Sequence, residues 1–110
     1  MPLETEFVAD PGPEAVEFAL TVTNADTEPV DVTYRSGLHA DFAVREDDRE
    51  VWRWSDGRMF TQAIETETLA PGESVRYAAR WENPSPGEYA AVASLEATDA
   101  DVAARAEFVV

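Results

Sequence analysis

The 110-residue chain has no cysteine and no lysine, and its only histidine is His39. Without cysteine it cannot form a disulfide, a thiolate metal site or a thiol nucleophile. No apolar run approaches the roughly 20 residues that span a bilayer. The first residues also lack the basic and apolar regions of a signal peptide. These absences predict a cytoplasmic protein without a membrane segment, a bound transition metal or a cofactor.

Most of the charged residues are acidic. Asp and Glu number 23 against 8 basic residues, all of them arginine, which gives a net charge of −15. Such a chain disfavours nucleic acid and anionic membrane as partners, because phosphate binding needs a basic surface. Two interpretations remain: docking on a basic partner, or adaptation to a salt-rich cytoplasm where charge repulsion is screened within ~3 Å at 1 M salt. The missing lysine and the dispersed carboxylates favour the halophilic interpretation.

Strict alternation of apolar and polar residues dominates the rest of the chain and predicts half-buried strands. In the segment from Val16 to Thr23, every second residue from Val16 to Val22 is apolar. The same alternation recurs in four more segments: Val30–Arg35, Asp41–Arg45, Ser74–Trp81 and Tyr89–Leu95. Turn residues separate these runs at short intervals. We therefore predict one domain, residues 1–110, folded as an antiparallel immunoglobulin-like β-sandwich of about 8–9 strands.

The segment from Leu95 to Phe108 is open to two interpretations. It is rich in alanine, and Thr98 or Asp99 could cap a helix. However, apolar residues also alternate from Val102 to Val110, as expected for a strand. We predict a strand, because alanine is common throughout this chain.

Catalytic and metal-binding patterns are weak. Ser36, His39 and Asp41 have the residue types of a hydrolytic triad, but no nucleophile elbow surrounds the serine. Loop carboxylates at Asp47-Asp48 and Asp99-Ala-Asp101 suit calcium, yet they match no EF-hand and are expected by chance in a chain this acidic. We predict a non-enzymatic binding domain without a metal site.

A resemblance to a known family comes from one specific block and three weaker ones. Residues 51–62 read VWRWSDGRMFTQ. The weaker matches are FALTVTN at 18–24, LAPGE at 69–73 and PGEY at 86–89. In this combination and order, over about residues 14–98, the chain resembles the intracellular proteinase inhibitor family known as BsuPI. The resemblance implies an immunoglobulin-like sandwich and a protein partner, namely an intracellular subtilisin-like serine protease.

If the domain inhibits such a protease, an exposed loop could enter the cleft as an extended strand, or a sandwich edge could cover the cleft. For the first mode we select Arg58 to Thr61, because a subtilisin-type specificity pocket accepts large apolar side chains such as Met59 or Phe60. The predicted contact residues are Trp54, Asp56, Arg58, Met59, Phe60 and Thr61. The competing interpretation, which we prefer for Met59 and Phe60, is a structural plug over the open end of the sandwich.

Two other functions stay open at this point. One is a protein-interaction module of the same fold without inhibitory activity. The other is a carbohydrate-binding sandwich that uses Trp52 and Trp54 as a stacking platform. The latter requires both indole rings to be exposed and coplanar.

Overall fold

The computed structural model describes residues 3–110, and within them every regular element is a β-strand. The strands are β1 (Leu3–Pro11), β2 (Ala15–Asn24), β3 (Val30–Tyr34), β4 (Ala40–Glu46), β5 (Arg49–Arg53), β6 (Glu65–Leu69), β7 (Ser74–Glu82), β8 (Glu88–Leu95) and β9 (Ala103–Val109). The all-β prediction of about 8–9 strands is confirmed. No helix long and apolar enough to cross a bilayer occurs in this part of the chain.

All strand pairs are antiparallel, and they form three sheets with the orders β1-β2-β7, β3-β6 and β5-β4-β8-β9. The three-stranded and four-stranded sheets face each other across the core, which gives the predicted sandwich. Strand β1 also contacts β9 and covers one side of the core. On the other side, β7 and β5 are the edge strands of their sheets.

The core follows the predicted alternation. Val16, Phe18, Leu20 and Val22 of β2 are buried, as are Tyr89, Ala91, Ala93 and Leu95 of β8. Phe18 lies at the centre, with its ring centroid 5.7 to 6.3 Å from the rings of Phe7, Phe42, Trp52 and Phe108. Because offset and edge-to-face ring pairs add to the free energy of apolar burial, this aromatic cluster supplies packing that a chain without cysteine needs.

The structure decides the segment that was open to two interpretations and adds two strands that were not predicted. The segment from 103 to 109 is strand β9, so the strand prediction was right and the helical alternative wrong. Strands β1 and β6 were not predicted. The sequence of β6, ETETL, has one apolar residue, and that of β1, LETEFVADP, has Phe7, Val8 and Ala9 side by side without alternation; each strand lies at an edge of its sheet.

Candidate functional site

The block that carries the family resemblance forms an irregular excursion between β5 and β6, here called the 54–64 loop. Strand β5 ends at Arg53, and Trp54 begins the turn. The turn is closed by hydrogen bonds from the Asp56 amide to the Arg53 carbonyl (3.2 Å) and from the Arg58 amide to the Ser55 carbonyl (3.1 Å). Gly57 has φ of +76°, a value that glycine adopts without strain. Residues 58–64 then run on without regular structure.

The first end of the loop is held by a buried carboxylate. Asp41 of β4 is only 4% exposed, and its oxygens accept hydrogen bonds from the Ser55 amide (3.1 Å), the Ser55 hydroxyl (2.6 Å) and the Arg53 guanidinium (2.9 Å). The alternation of β4 had placed Asp41 on the solvent face, which is wrong. Arg53 and Ser55 fold back over that face and bury Asp41. Arg53 also bonds Glu50, and the two carboxylates raise the pKa of its guanidinium, Glu50 more strongly.

The second end is tied to the 36–37 turn. The Gly37 amide donates a 2.9 Å hydrogen bond to the Thr61 carbonyl. A Cβ atom at position 37 would lie 3.0 Å from the Thr61 hydroxyl oxygen and 3.3 Å from its amide nitrogen, so a larger residue would push Thr61 away by a few tenths of an ångström. Two separate contacts, at Ser55 and at Thr61, therefore fix the ends of the segment that contains Met59.

Trp54 organises the middle of the loop. The Arg58 guanidinium lies 4.4 Å from the centroid of the indole, and its Nε donates a 2.8 Å bond to the Trp54 carbonyl. The Phe60 ring lies 5.7 Å from the same indole. Cation–π and aromatic contacts of this kind stabilise by about 0.5–1.5 kcal/mol each. Arg58 and Phe60, the neighbours of Met59, are thus both anchored on Trp54.

Met59 itself contacts little. Its side chain is 98% exposed, and Ile64 farther along the loop is 75% exposed. The prediction that Met59 plugs the sandwich is therefore wrong, because the anchored neighbours turn it away from the protein. Phe60, in contrast, is half-buried against Trp54, which agrees with the plug interpretation for this one residue. Of the other predicted contact residues, Asp56, Arg58 and Thr61 are exposed and Trp54 is half-buried.

The residues of the hypothetical triad do not form a catalytic group. His39 precedes β4 instead of lying on it, and its Nε2 contacts a carboxylate oxygen of Glu65 at 2.8 Å. The imidazole stacks on Tyr34 with a centroid distance of 3.9 Å. Asp41 binds Arg53 and Ser55, and the Ser36 hydroxyl accepts a bond from the Leu38 amide. Each member serves a different part of the fold.

The remaining alternatives find little geometric support. Within residues 3–110, no group of three or more His, Asp or Glu side chains is placed to hold a metal ion. Asp99 instead accepts a hydrogen bond from the Thr33 amide, which lowers its pKa. The two tryptophans do not form a coplanar platform, because Trp52 stacks on Phe18 and Trp81 while Trp54 lies against Arg58 and Phe60. Both indoles are half-buried rim residues.

Comparison with known families decides the identity of the domain. The sequence profile described as "BsuPI: Intracellular proteinase inhibitor" matches residues 3–100. The chain belongs to the BsuPI family of intracellular proteinase inhibitors. The resemblance read from residues 51–62 is thereby confirmed, and the match extends from β1 to the loop before β9. Comparison with curated proteins finds no significant match.

Solved structures show the fold of this BsuPI domain in larger proteins. Two structures of β-glucosidase 3B from Thermotoga neapolitana, in complexes with α-D-glucose and with glucose, superpose with TM-scores of 0.55 and 0.54. Each is 11% identical to the chain and covers 97% of it, whereas the chain spans 15% of the glucosidase. At this identity the likeness concerns the fold alone.

Proposed function

We propose that this BsuPI domain inhibits an intracellular serine protease of the subtilisin type by presenting the 54–64 loop, with Met59 entering the specificity pocket of the protease. The observation that carries the proposal is the 98% exposure of Met59 between two fixed loop ends. A large apolar side chain gains nothing for folding when it is left in water. It becomes favourable only when a partner removes it from water.

The geometry around Met59 also suits insertion into a cleft. Residues 58–64 form no strand of their own, and apart from the Arg58 amide and the Thr61 carbonyl their main chain is available for pairing with an extended substrate site. A loop that is already ordered loses little conformational entropy on binding. Ile64, five residues after Met59 and also exposed, offers a second apolar contact beside the cleft. The domain would act by binding, without chemistry of its own.

Introduction of a carboxylate at two exposed apolar positions tests the proposal. Met59→Glu should raise the inhibition constant against a purified subtilisin-type protease by at least about 30-fold, the loss of a hot-spot residue worth about 2 kcal/mol. Val109→Glu is the matched control, because Val109 is 64% exposed on β9, outside the 54–64 loop. That variant should change the constant less than about threefold. Met59→Leu should retain inhibition.

The outcome that would overturn the proposal is equal inhibition by the Met59→Glu and Val109→Glu variants, or no inhibition by the unaltered domain of any subtilisin-type protease. In the second case the same loop would serve a non-inhibitory interaction module.

We further propose that the inhibitor works in a salt-rich cytoplasm. The net charge of −15 supports this setting, as does the placement of acidic residues on the outer sheet face, where Asp10 of β1 lies directly opposite Glu17 of β2. Like charges in such cross-strand positions are destabilising. Salt screens this repulsion as the Debye length falls from ~10 Å at 0.1 M to ~3 Å at 1 M.

The melting temperature, measured at increasing KCl concentration, tests the proposed salt-rich cytoplasm. It should rise by more than about 5 °C between dilute buffer and molar salt, the shift that about 1 kcal/mol produces in a domain of this size. Asp10→Asn should reduce the dependence. A melting temperature that stays constant across this range would contradict a halophilic adaptation.

A further inference from the structure

Asp41 of β4 joins its own strand to the end of β5 and the start of the 54–64 loop. Its carboxylate accepts four hydrogen bonds, and only one of them, from the Phe42 amide at 2.9 Å, lies within β4. The other three come from Arg53 and Ser55, the residues on either side of Trp54. A buried ion pair is weak support for stability, since well-packed apolar residues often do as well. The position of these contacts therefore indicates a role in placing the loop.

A continuous set of hydrogen bonds runs from Asp41 to the residue before Met59. Asp41 holds both the amide and the hydroxyl of Ser55, and the Ser55 carbonyl accepts the bond from the Arg58 amide. The Arg58 side chain then returns to the Trp54 carbonyl. A change at Asp41 should consequently be felt at Met59, which itself has almost no contact with the protein.

A loop that fills a serine protease cleft is exposed to hydrolysis. Attack of the serine oxygen on the Met59 carbonyl forms an ester, breaks the Met59–Phe60 bond and passes the serine proton to the departing Phe60 amine. If that amine stays in place, its return breaks the ester, re-forms the peptide bond and gives the proton back to serine. Retention needs both halves of the loop to be fixed, and here Asp41 holds the half before Met59 while Gly37 holds the half after Phe60.

We propose that Asp41 is the positioning residue of the 54–64 loop, which it keeps in one conformation so that the loop inhibits a protease instead of being consumed by it. Only the second part of this inference, resistance to cleavage by the protease, rests on the proposed function. That Asp41 fixes the loop is a property of the free domain, whereas resistance to cleavage concerns the complex.

The chain offers a matched control in Asn24, the other buried polar residue within residues 3–110. Its amide group donates to the carbonyls of Glu28 and Leu69 and accepts from the Asp26 amide, so Asn24→Ala also removes buried hydrogen bonds but leaves the 54–64 loop untouched. Comparison of Asp41→Ala with Asn24→Ala therefore separates loop placement from a general loss of stability.

The experiment incubates each variant with purified subtilisin, well below its melting temperature and in one salt concentration. Mass spectrometry follows cuts between residues 58 and 61, and residual protease activity is measured over time. Asp41→Ala should be cut at least about tenfold faster than the unaltered domain, with inhibition that fades during incubation. The cleavage rate of Asn24→Ala should stay within about threefold of that of the unaltered domain. Asp41→Asn should be cut at a rate closer to that of the unaltered domain, because its carbonyl oxygen still accepts the hydrogen bond from the Ser55 amide.

Amide hydrogen exchange without protease provides the second readout. The hydrogen-bonded amides of Ser55, Asp56 and Arg58 should exchange at least about tenfold faster in Asp41→Ala, and at an unchanged rate in Asn24→Ala. If Asp41→Ala does not fold, Ser55→Ala, which removes only the hydroxyl bond, should show the same direction in both readouts. Equal cleavage and equal exchange of the Asp41 and Asn24 variants would overturn the proposal.

The two proposals fail in different ways. Faster loop exchange in Asp41→Ala, together with no inhibition by the unaltered domain, would leave the placement role standing and reject the inhibitor function. Firm inhibition by the unaltered domain and by Asp41→Ala alike, without cleavage, would support the inhibitor function and reject the role of Asp41.

Discussion

Two loops of this domain are each held by one buried polar side chain, yet they differ in what they present to solvent. Asn24, which is fully buried, anchors the 25–29 turn, whose residues are all exposed and include no large apolar side chain. Asp41 anchors the 54–64 loop, which exposes Met59 and Ile64. A buried polar anchor is therefore not a functional signal by itself. The signal is an anchor combined with an apolar side chain that the fold keeps in water.

The electrostatics of the two anchors differ as well. Asn24 is neutral and both donates and accepts: its amide nitrogen bonds the carbonyls of Glu28 and Leu69, and its amide oxygen accepts the Asp26 amide. Asp41 only accepts, and its charge is balanced by Arg53, which is more than one-third exposed and also pairs with Glu50. Arg53 keeps a partner if Asp41 is lost. We therefore expect Asn24 to matter more for stability and Asp41 more for function.

The largest predicted effect on stability is at Asn24. Asn24→Ala leaves the buried Leu69 carbonyl without its partner, and the free energy of unfolding should fall by about 3 kcal/mol, more than for Asp41→Ala. Asn24→Asp should lower the free energy of unfolding at least as much as Asn24→Ala, because it loses both donated hydrogen bonds and buries a charge. Urea unfolding at fixed salt measures both.

The comparison would break if Asn24→Ala weakened protease inhibition at temperatures where the variant is fully folded. It would also break if Asp41→Ala proved the more destabilising of the two, since the carboxylate would then serve mainly the fold.

Strand alternation allowed most of the sandwich to be predicted, because each strand has one face that must be apolar. The four buried residues of β2 and the four of β8 are visible in the sequence for this reason. The same rule failed for Asp41. Periodicity places it on the outer face of β4, and only the return of the chain 12 to 14 residues later, at Arg53 and Ser55, buries that face. Such burial depends on tertiary contacts that no local pattern encodes.

Met59 was mispredicted for a related reason. Methionine is usually buried, so a plug was the reasonable expectation from residue type. Its exposure follows from the bonds of its neighbours: Arg58 and Phe60 both contact Trp54, and Thr61 is bonded to Gly37. The block from 51 to 62 was recognisable as distinctive, and it supplied the family. Which residue of the block faces solvent required the three-dimensional arrangement of its partners.

The smallest predicted effects concern one glycine from each region. Gly72 donates its amide to the Asn24 carbonyl, has φ of +80° and has open space around a hypothetical Cβ. Gly72→Ala should therefore cost only the left-handed backbone, about 1 kcal/mol, with inhibition unchanged. Gly37 has no such φ, but a Cβ atom added there would lie 3.0 Å from the Thr61 hydroxyl oxygen. Gly37→Ala should cost about as much in stability and, unlike Gly72→Ala, weaken inhibition by about tenfold through displacement of the second loop end.

A double variant sharpens this last comparison. Thr61→Ala removes the hydroxyl oxygen that is nearest to the added Cβ, whereas the Thr61 amide at 3.3 Å remains. Gly37→Ala with Thr61→Ala should thus recover part of the inhibition that Gly37→Ala loses, and the deviation from additivity measures the contact directly. Strictly additive effects, or equal inhibition by the two glycine variants, would mean that the loop tolerates movement at Thr61. Only the Asp41 end would then position Met59.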